Sequence, residues 1–281
     1  MLQALLEEAG IHPDYITKLK TEKLKSSDYL YDVYDYINKQ SNYLVPVDKI
    51  KGISTCRSTV GVSWFDNLDN YKEHNIEEKT VFLFLDKIQN EPISKLHESF
   101  TSGEYSREIK FYYFVDDDEF YTVTGGSHRT LFAKITNSQY ILSDIEVFKK
   151  NPIKAKNYAR YKDARDGLFK VIAKYNLEMI KDDKYNSVLD DTFFIEYKEK
   201  ILKYIEIPKV YNYSNTESIN ESVSIINKEI SYLEDLFNTV LFVSKIPKIF
   251  RSMYINYKLY FDKFNLYKNV KYLVESDWKI N

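Results

Sequence analysis

The segment over residues 120–134 constrains the fold of this chain more than any other part of the sequence. Aromatic and β-branched residues, which favour a strand, lead into Gly125 and Gly126, and a segment of helical character follows. A glycine turn that begins a helix presents free backbone N–H groups and the positive end of the helix dipole, so it can hold a phosphate. The glycines let the backbone approach an anion closely, and Arg129 can donate two hydrogen bonds to its oxygens.

The residues on either side of this turn indicate a small α/β unit. Between the first strand and the hairpin, the sequence predicts a loop from Gly52 to Asn70 and a helix near Ile93 to Phe100. The predicted strands and motif helix are a first strand over 44–50, a hairpin over 108–115 and 120–124, a helix over 128–135 and a closing strand over 141–148.

This order of elements around Gly-Gly-Ser-His-Arg resembles the ParB/sulfiredoxin family over roughly residues 43–150. Gly126, His128 and Arg129 match the shared core of the family motif, and Ala133 matches its small helical position. The resemblance implies a mixed-sheet domain that binds a nucleotide or another phosphate, with His128 donating or shuttling a proton and Arg129 neutralising charge as the catalytic pair. The phosphate contacts it implies come from Gly125, Gly126, Ser127, His128, Arg129 and Thr130, and from Arg57 in the loop after the first strand.

The chain also departs from the family at two positions of the motif. Ser127 stands where sulfiredoxins carry their catalytic cysteine, and a hydroxyl cannot replace a thiolate in that redox chemistry, so sulfiredoxin activity is not expected. Ser127 also replaces the Glu of the partition proteins, and Gly125 stands where many ParB-like proteins carry Asp. Phosphate binding survives these changes, whereas a CTP-driven DNA clamp is not implied.

Composition excludes several classes of protein. The chain carries 40 basic and 42 acidic residues in 281, so binding to nucleic acid needs a local basic patch. Cys56 is the only cysteine, which excludes an intramolecular disulfide and a cysteine-rich zinc site. No apolar run approaches the roughly 20 residues that span a bilayer, and the acidic N-terminus is unlike a signal peptide. We therefore expect a cytoplasmic protein with no membrane partner.

The segments outside the resemblance are predicted to be helical. The overall prediction is an α+β protein with an N-terminal helical segment over 1–42, the ParB/sulfiredoxin-like domain over 43–150 and an aromatic-rich α-helical domain over 151–281. In the first segment, helical spacing covers Tyr29 to Ile37; in the last, helices are expected over 191–205 and near 247–274.

A heptad-like stripe in the last third of the chain has two interpretations. It fits an intermolecular coiled coil or, as we favour, an antiparallel hairpin within one chain. The expected partner is the final helix, through Phe250, Tyr254, Tyr257, Phe261 and Phe264. The stripe itself comprises Ile219, Val223, Ile226, Ile230, Leu233, Phe237 and Val240.

Two charged segments could bind ligands outside the glycine turn. The acidic run Asp116–Glu119 is best interpreted as a solvated hairpin turn rather than a Mg²⁺ site, and we predict no protein metal site. A basic, tyrosine-containing stretch could hold nucleic acid, although Asp163 and Asp166 balance its charge and favour a solvated helix face. Its candidates are Lys154, Lys156, Arg160, Lys162 and Arg165.

Two functions remain as hypotheses from these residues and the resemblance. The first is a nucleotide-dependent phosphohydrolase or nuclease, with a nucleoside triphosphate and Mg²⁺ as cofactor, acting in DNA maintenance or in conflict with phage and other mobile elements. The second is a non-catalytic regulator or adaptor that binds DNA or a protein partner through its C-terminal helices. A free-amino-acid kinase, which also occurs on this fold, ranks below both.

Overall fold

The computed structural model describes residues 2–53, 58–102, 109–182, 190–262, 265–276 and 278. The chain divides into two compact units, Met1–Pro152 and Ile153–Asn281. Both contain helices and strands, so the protein is a mixed α/β protein. In the described part of the chain, no helix combines the length and apolar character needed to cross a membrane.

The first unit is built on a five-stranded mixed sheet. Its strand order is β1-β5-β3-β4-β2, in which β5 pairs with β3 and β4 with β2 in parallel, and the other pairs are antiparallel. The elements in chain order are α1 (Leu2–Glu8), α2 (Pro13–Thr21), α3 (Leu30–Val33), β1 (Tyr34–Pro46), a 3₁₀ turn (Val47–Lys49), β2 (Ile50–Gly52), α4 (Trp64–Asp69), α5 (Glu78–Asn90), α6 (Ile93–Thr101), β3 (Lys110–Phe114), β4 (Glu119–Thr124), α7 (Ser127–Ile135) and β5 (Tyr140–Lys150).

The elements nearest the glycine turn match their predictions, whereas the N-terminal part does not. The hairpin, the motif helix, the helix near 93–100 and the closing strand all form. The predicted helix over 29–37 is wrong beyond Val33, because the chain there enters the long strand β1. Cross-strand pairing from Tyr34 opposite Lys150 to Pro46 opposite Tyr140 outweighs the helical spacing. The predicted first strand over 44–50 is wrong as one strand, because the 3₁₀ turn separates β1 from β2; the predicted loop over 52–70 contains α4, and α5 was not predicted.

The sheet packs its side chains into two clusters. Leucine, isoleucine and phenylalanine side chains of the helices and strands form the main core, with Trp64 and Phe111 fully buried. A second cluster is aromatic: Tyr34 lies edge-on to Phe114, with ring centroids 4.9 Å apart, and Tyr31 and Phe148 join them. In this cluster the aromatic side chains pack edge-on and stacked against one another, which is the packing expected of aromatic residues in a protein core.

The second unit is not all-helical, which corrects the prediction for 151–281. The helix predicted over 191–205 is wrong, because β7 and β8 form an antiparallel hairpin there, closed by Lys198 and Glu199 with φ angles of 47° and 64°. The elements are α8 (Pro152–Lys174), β6 (Glu178–Lys181), β7 (Asp190–Tyr197), β8 (Lys200–Pro208), α9 (Thr216–Lys245), α10 (Lys248–Leu259) and α11 (Leu266–Glu275), with the strands in the order β6-β7-β8.

The heptad-like stripe lies on α9 and is buried within the chain, as the favoured interpretation predicted. Val223 and Ile230 are partly buried and the other five residues are buried. The partner was predicted only in part, because the final helix is two helices. α11 and β8 pack against α9, with Val270 and Leu273 fully buried, whereas Phe250 of α10 is exposed. Phe264 lies outside the described residues.

Candidate functional site

The glycine turn lies at an edge of the sheet that two parallel strands share. β2 and β4 run side by side, with Ile50 opposite Phe120 and Gly52 opposite Tyr121. Because the strands point the same way, the segment that follows β2 at Ile53 and the turn that follows β4 leave the sheet at the same edge. In open α/β sheets, ligands bind beyond the carboxyl ends of parallel strands. Arg57, the predicted second contact, lies outside the described residues.

Each glycine of the turn has a local structural reason. Gly125 has a φ of 75°, in the left-handed region that other residues rarely adopt. Gly126 is buried, and a β-carbon on it would lie only 2.5 Å from Cγ2 of Ile109. Backbone geometry therefore requires glycine at 125, and packing requires it at 126.

The turn leads directly into α7, which has Gly126 as its N-cap and begins at Ser127. Gly126 supplies no side-chain cap, so the first-turn N–H groups have the character of an anion site. The guanidinium of Arg129 folds back over the turn, where Nη2 donates a hydrogen bond of 3.2 Å to the carbonyl oxygen of Gly125. The Arg129 guanidinium thus lies against the turn that precedes the start of α7.

The remaining motif side chains are less accessible than the sequence suggested. The His128 ring is half-buried and stacks on Phe132, with centroids 6.2 Å apart. Ser127 is buried. Thr130 is fully buried, and its hydroxyl is 3.2 Å from that of Thr122. In this conformation Thr130 has no exposed atom with which to make the predicted phosphate contact; it joins α7 to β4.

A buried lysine near the end of α7 contacts the segment around β2, and it was not among the residues predicted from the sequence. Lys134 is completely inaccessible, and its Nζ lies 3.2 Å from Oε1 of Glu22 and 5.3 Å from the centre of the Trp64 ring. The same Nζ donates to the carbonyl oxygens of Val47, Asp48 and Ile50 at 3.2–3.4 Å. Burial lowers the pKa of Lys134 to about 8, although the charge of Glu22 opposes that shift.

The Lys134 ammonium fixes the position of β2 relative to α7. Its three carbonyl acceptors belong to the 3₁₀ turn and the first residue of β2, so one side chain ties that segment to the motif helix. On the other side, the Tyr15 hydroxyl donates to the Lys134 carbonyl at 2.6 Å. The available signal in the sequence was a single charge in the otherwise apolar run 131–135.

A small polar cavity lies beside the same edge of the sheet. Its volume is about 150 Å³, and its walls include Ser26, Asp28, Gly52 and Thr122. This volume suits a single phosphate-sized group but falls below the roughly 300 Å³ at which cofactor pockets begin. A β-carbon on Gly52 would lie 2.3 Å from the Lys25 carbonyl oxygen, so glycine is needed for this close approach.

The acidic turn is engaged in structural contacts. Asp116 accepts a 2.7 Å hydrogen bond from the backbone N–H of Lys150. Asp118 accepts from the Tyr113 hydroxyl at 3.0 Å and pairs with Lys49, which together hold its pKa below the usual value. Among the described residues, no three His, Cys, Asp or Glu side chains are grouped as a metal site would require.

The basic candidates on α8 do not share one face. The helical repeat places them on either side of a buried stripe that contains Tyr161 and Leu168. Arg165 lies 5.7 Å from the centre of the Tyr161 ring. The candidates on the Arg165 side are Lys154, Lys162 and Arg165, whereas Lys156 and Arg160 lie on the other side.

Comparison of the chain with models of known protein families, with curated proteins and with solved structures finds no match.

Proposed function

We propose that this chain binds a phosphate group, carried by a nucleotide or a nucleic acid, at the Gly125–Arg129 turn of a ParB/sulfiredoxin-like domain. The observation that carries the proposal is the Arg129 guanidinium, held 3.2 Å from the Gly125 carbonyl oxygen beside the uncapped start of α7. A phosphate at this point gains backbone N–H donors, the helix dipole and one positive charge together.

The parallel strands give further support. Ile53 follows β2 at the edge of the sheet where the turn also leaves it, and Arg57 comes four residues later in the sequence. An arginine in the loop after the first strand is the second phosphate contact that the family resemblance implies. The proposal therefore includes Arg57 as a contact.

We favour binding without catalysis as the function, because the motif lacks the Asp and Glu found in the related motifs at positions 125 and 127. Phosphohydrolase or nuclease activity is the second candidate, and the observation that favours it is His128, which follows directly after the turn. In that case a nucleoside triphosphate would bring Mg²⁺ with it. Either function suits a role in DNA maintenance or in conflict with mobile elements.

Calorimetric titration of the full chain with pyrophosphate and with a nucleoside triphosphate tests binding. Arg129→Ala should weaken affinity by roughly 1.5–3 kcal/mol, or about 10- to 150-fold, since it removes a charge-assisted hydrogen bond. Lys87→Ala is the control, because Lys87 is an exposed cation of the same unit and was not among the predicted phosphate or nucleic-acid contacts. Unchanged affinity in a folded Arg129→Ala variant would refute the site.

A phosphate-release assay on the same samples separates the two candidates. Binding without release supports the non-catalytic function. Release that is lost in His128→Ala, with nucleotide affinity retained, would establish the hydrolase.

A further inference from the structure

Helix α10 and the turn after it expose a continuous apolar face. Its six large side chains are 60–86% exposed: Ile249, Phe250, Met253, Tyr257, Tyr260 and Phe261. Side chains of this size present on the order of 800 Å² together. The largest apolar patch on a typical monomer is about 300–600 Å², so this face is larger than a monomer usually leaves uncovered.

Among the described residues of α10, the helical repeat places Lys248, Arg251 and Lys258 away from this face. Arg251 Nη2 donates to the carbonyl oxygens of Ser244 and Ile246 at 2.7 and 3.0 Å. Lys258 lies about 6 Å from the ring centres of Tyr254 and Tyr267. Two copies of the face can therefore approach each other without repulsion, and an anionic partner would find no cation at its centre.

The positions of the six side chains follow a two-fold pattern about Ile255. Ile249 and Phe261 lie six residues before and after it, Phe250 and Tyr260 five, and Met253 and Tyr257 two. Tyr260 keeps helical backbone angles, so the spacing continues past Leu259. In a two-fold interface, residue i of one copy contacts residue j of the other and j contacts i, and this spacing places each of the six side chains opposite another large apolar one.

We propose that two copies of this chain pair through α10, with the helices antiparallel and the two-fold axis crossing at the level of Ile255. Met253 of one copy then lies opposite Tyr257 of the other, and aliphatic side chains meet aromatic ones at both ends. The exposed area of this face is of the same order as the roughly 800 Å² that each partner buries in a standard stable interface.

Light scattering on the full chain, over a series of protein concentrations, tests the pairing. We expect the wild type to be a dimer, and Met253→Glu to weaken dimerisation at least about 100-fold, because pairing would bury an unpaired carboxylate. Ser252→Glu is the matched control: it adds the same charge at an exposed neighbouring position outside the apolar face, and it should remain dimeric. Circular dichroism of both variants verifies that they are folded.

Disulfide trapping tests the direction of the helices in a Cys56→Ser background. A mixture of Met253→Cys and Tyr257→Cys chains should cross-link faster than either chain alone if the helices are antiparallel. Faster cross-linking of Met253→Cys with itself would overturn the proposed arrangement. A monomeric wild type would overturn the pairing itself; if that monomer sedimented with anionic lipid vesicles through Met253, the face would belong to a membrane surface instead.

Discussion

Helices α7 and α10 have nearly the same average hydrophobicity but opposite environments. Seven of the nine residues of α7 are buried, including the charged Lys134. Only Ile255 is buried among the twelve residues of α10, and Phe250 and Tyr257 are exposed. Composition therefore did not decide which helix became core.

The difference follows from the number of elements that surround each helix. α7 contacts α4, α6, β4, β5 and the 3₁₀ turn, whereas α10 packs mainly on α9 and α11. A helix enclosed on several sides must satisfy every polar group it brings inside, as the carbonyl and carboxylate acceptors of Lys134 do. A helix packed on one side keeps a free face, which can be used for association.

The largest effect should come from breaking the enclosure of α7. Lys134→Ala empties a fully buried site and removes the ammonium that donates to Glu22 and to three carbonyl oxygens, so it should lower the free energy of unfolding by about 3–5 kcal/mol. Urea denaturation monitored by the fluorescence of Trp64, in a Trp278→Phe background, measures this. Lys51→Ala is the control, since Lys51 binds the same Glu22 oxygen from a partly exposed position and should cost below about 1 kcal/mol. If Lys134→Ala and Lys51→Ala lower the free energy of unfolding equally, the burial of Lys134 is not what stabilises the fold.

A smaller effect should follow from crowding the start of α7. Gly126→Ala places a methyl group against Ile109 and should cost about 1–3 kcal/mol. In an Ile109→Ala background the same change should cost much less, because the space has been vacated. Thermal unfolding of the four chains of this double-mutant cycle measures the coupling. If Gly126→Ala costs as much in the Ile109→Ala background as in the wild type, the contact with Ile109 is not the cause of the destabilisation.

The protonation of Lys134 should make stability depend on pH. Its folded-state pKa of about 8 lies below its ordinary value of 10.5, so above pH 8 the unfolded chain binds more protons than the folded one. Stability then rises with pH, by roughly 1–2 kcal/mol between pH 8 and about pH 9.5. The rise should disappear in Lys134→Met. If the Lys134→Met variant shows the same rise in stability with pH, groups other than Lys134 cause that rise.

The smallest effect belongs to α10. Met253→Ser should change the free energy of unfolding of the protomer by no more than about 0.5 kcal/mol, because Met253 is 71% exposed. Ile255→Ser, two residues along and buried, should cost several times more. Urea denaturation of both variants, at protein concentrations low enough to dissociate a dimer, measures their free energies of unfolding. A large loss for Met253→Ser would mean that the face is covered within the chain.

The sequence by itself determined the elements whose signals are local. The β3–β4 hairpin, the glycine turn, α7 and the apolar stripe of α9 follow from strand propensity, turn residues and short-range periodicity, whereas the partners of that stripe, α11 and β8, do not. The turn that we propose as the phosphate site was likewise predicted, because two adjacent glycines are a local signal. Gly125 indeed has a φ of 75°, which favours glycine.

Only the tertiary structure decided the features that depend on a distant partner. Residues 34–37 lie in a strand because that strand pairs with β5. Residues 191–205 form a hairpin because β7 pairs with β8 on one side and β6 on the other, and their apolar spacing alone fits a helix as well as a strand. Lys134 is buried because Glu22 and the backbone near residue 50 supply its acceptors. Long-range pairing and burial draw on groups far apart in the chain, and a local window of sequence does not contain them.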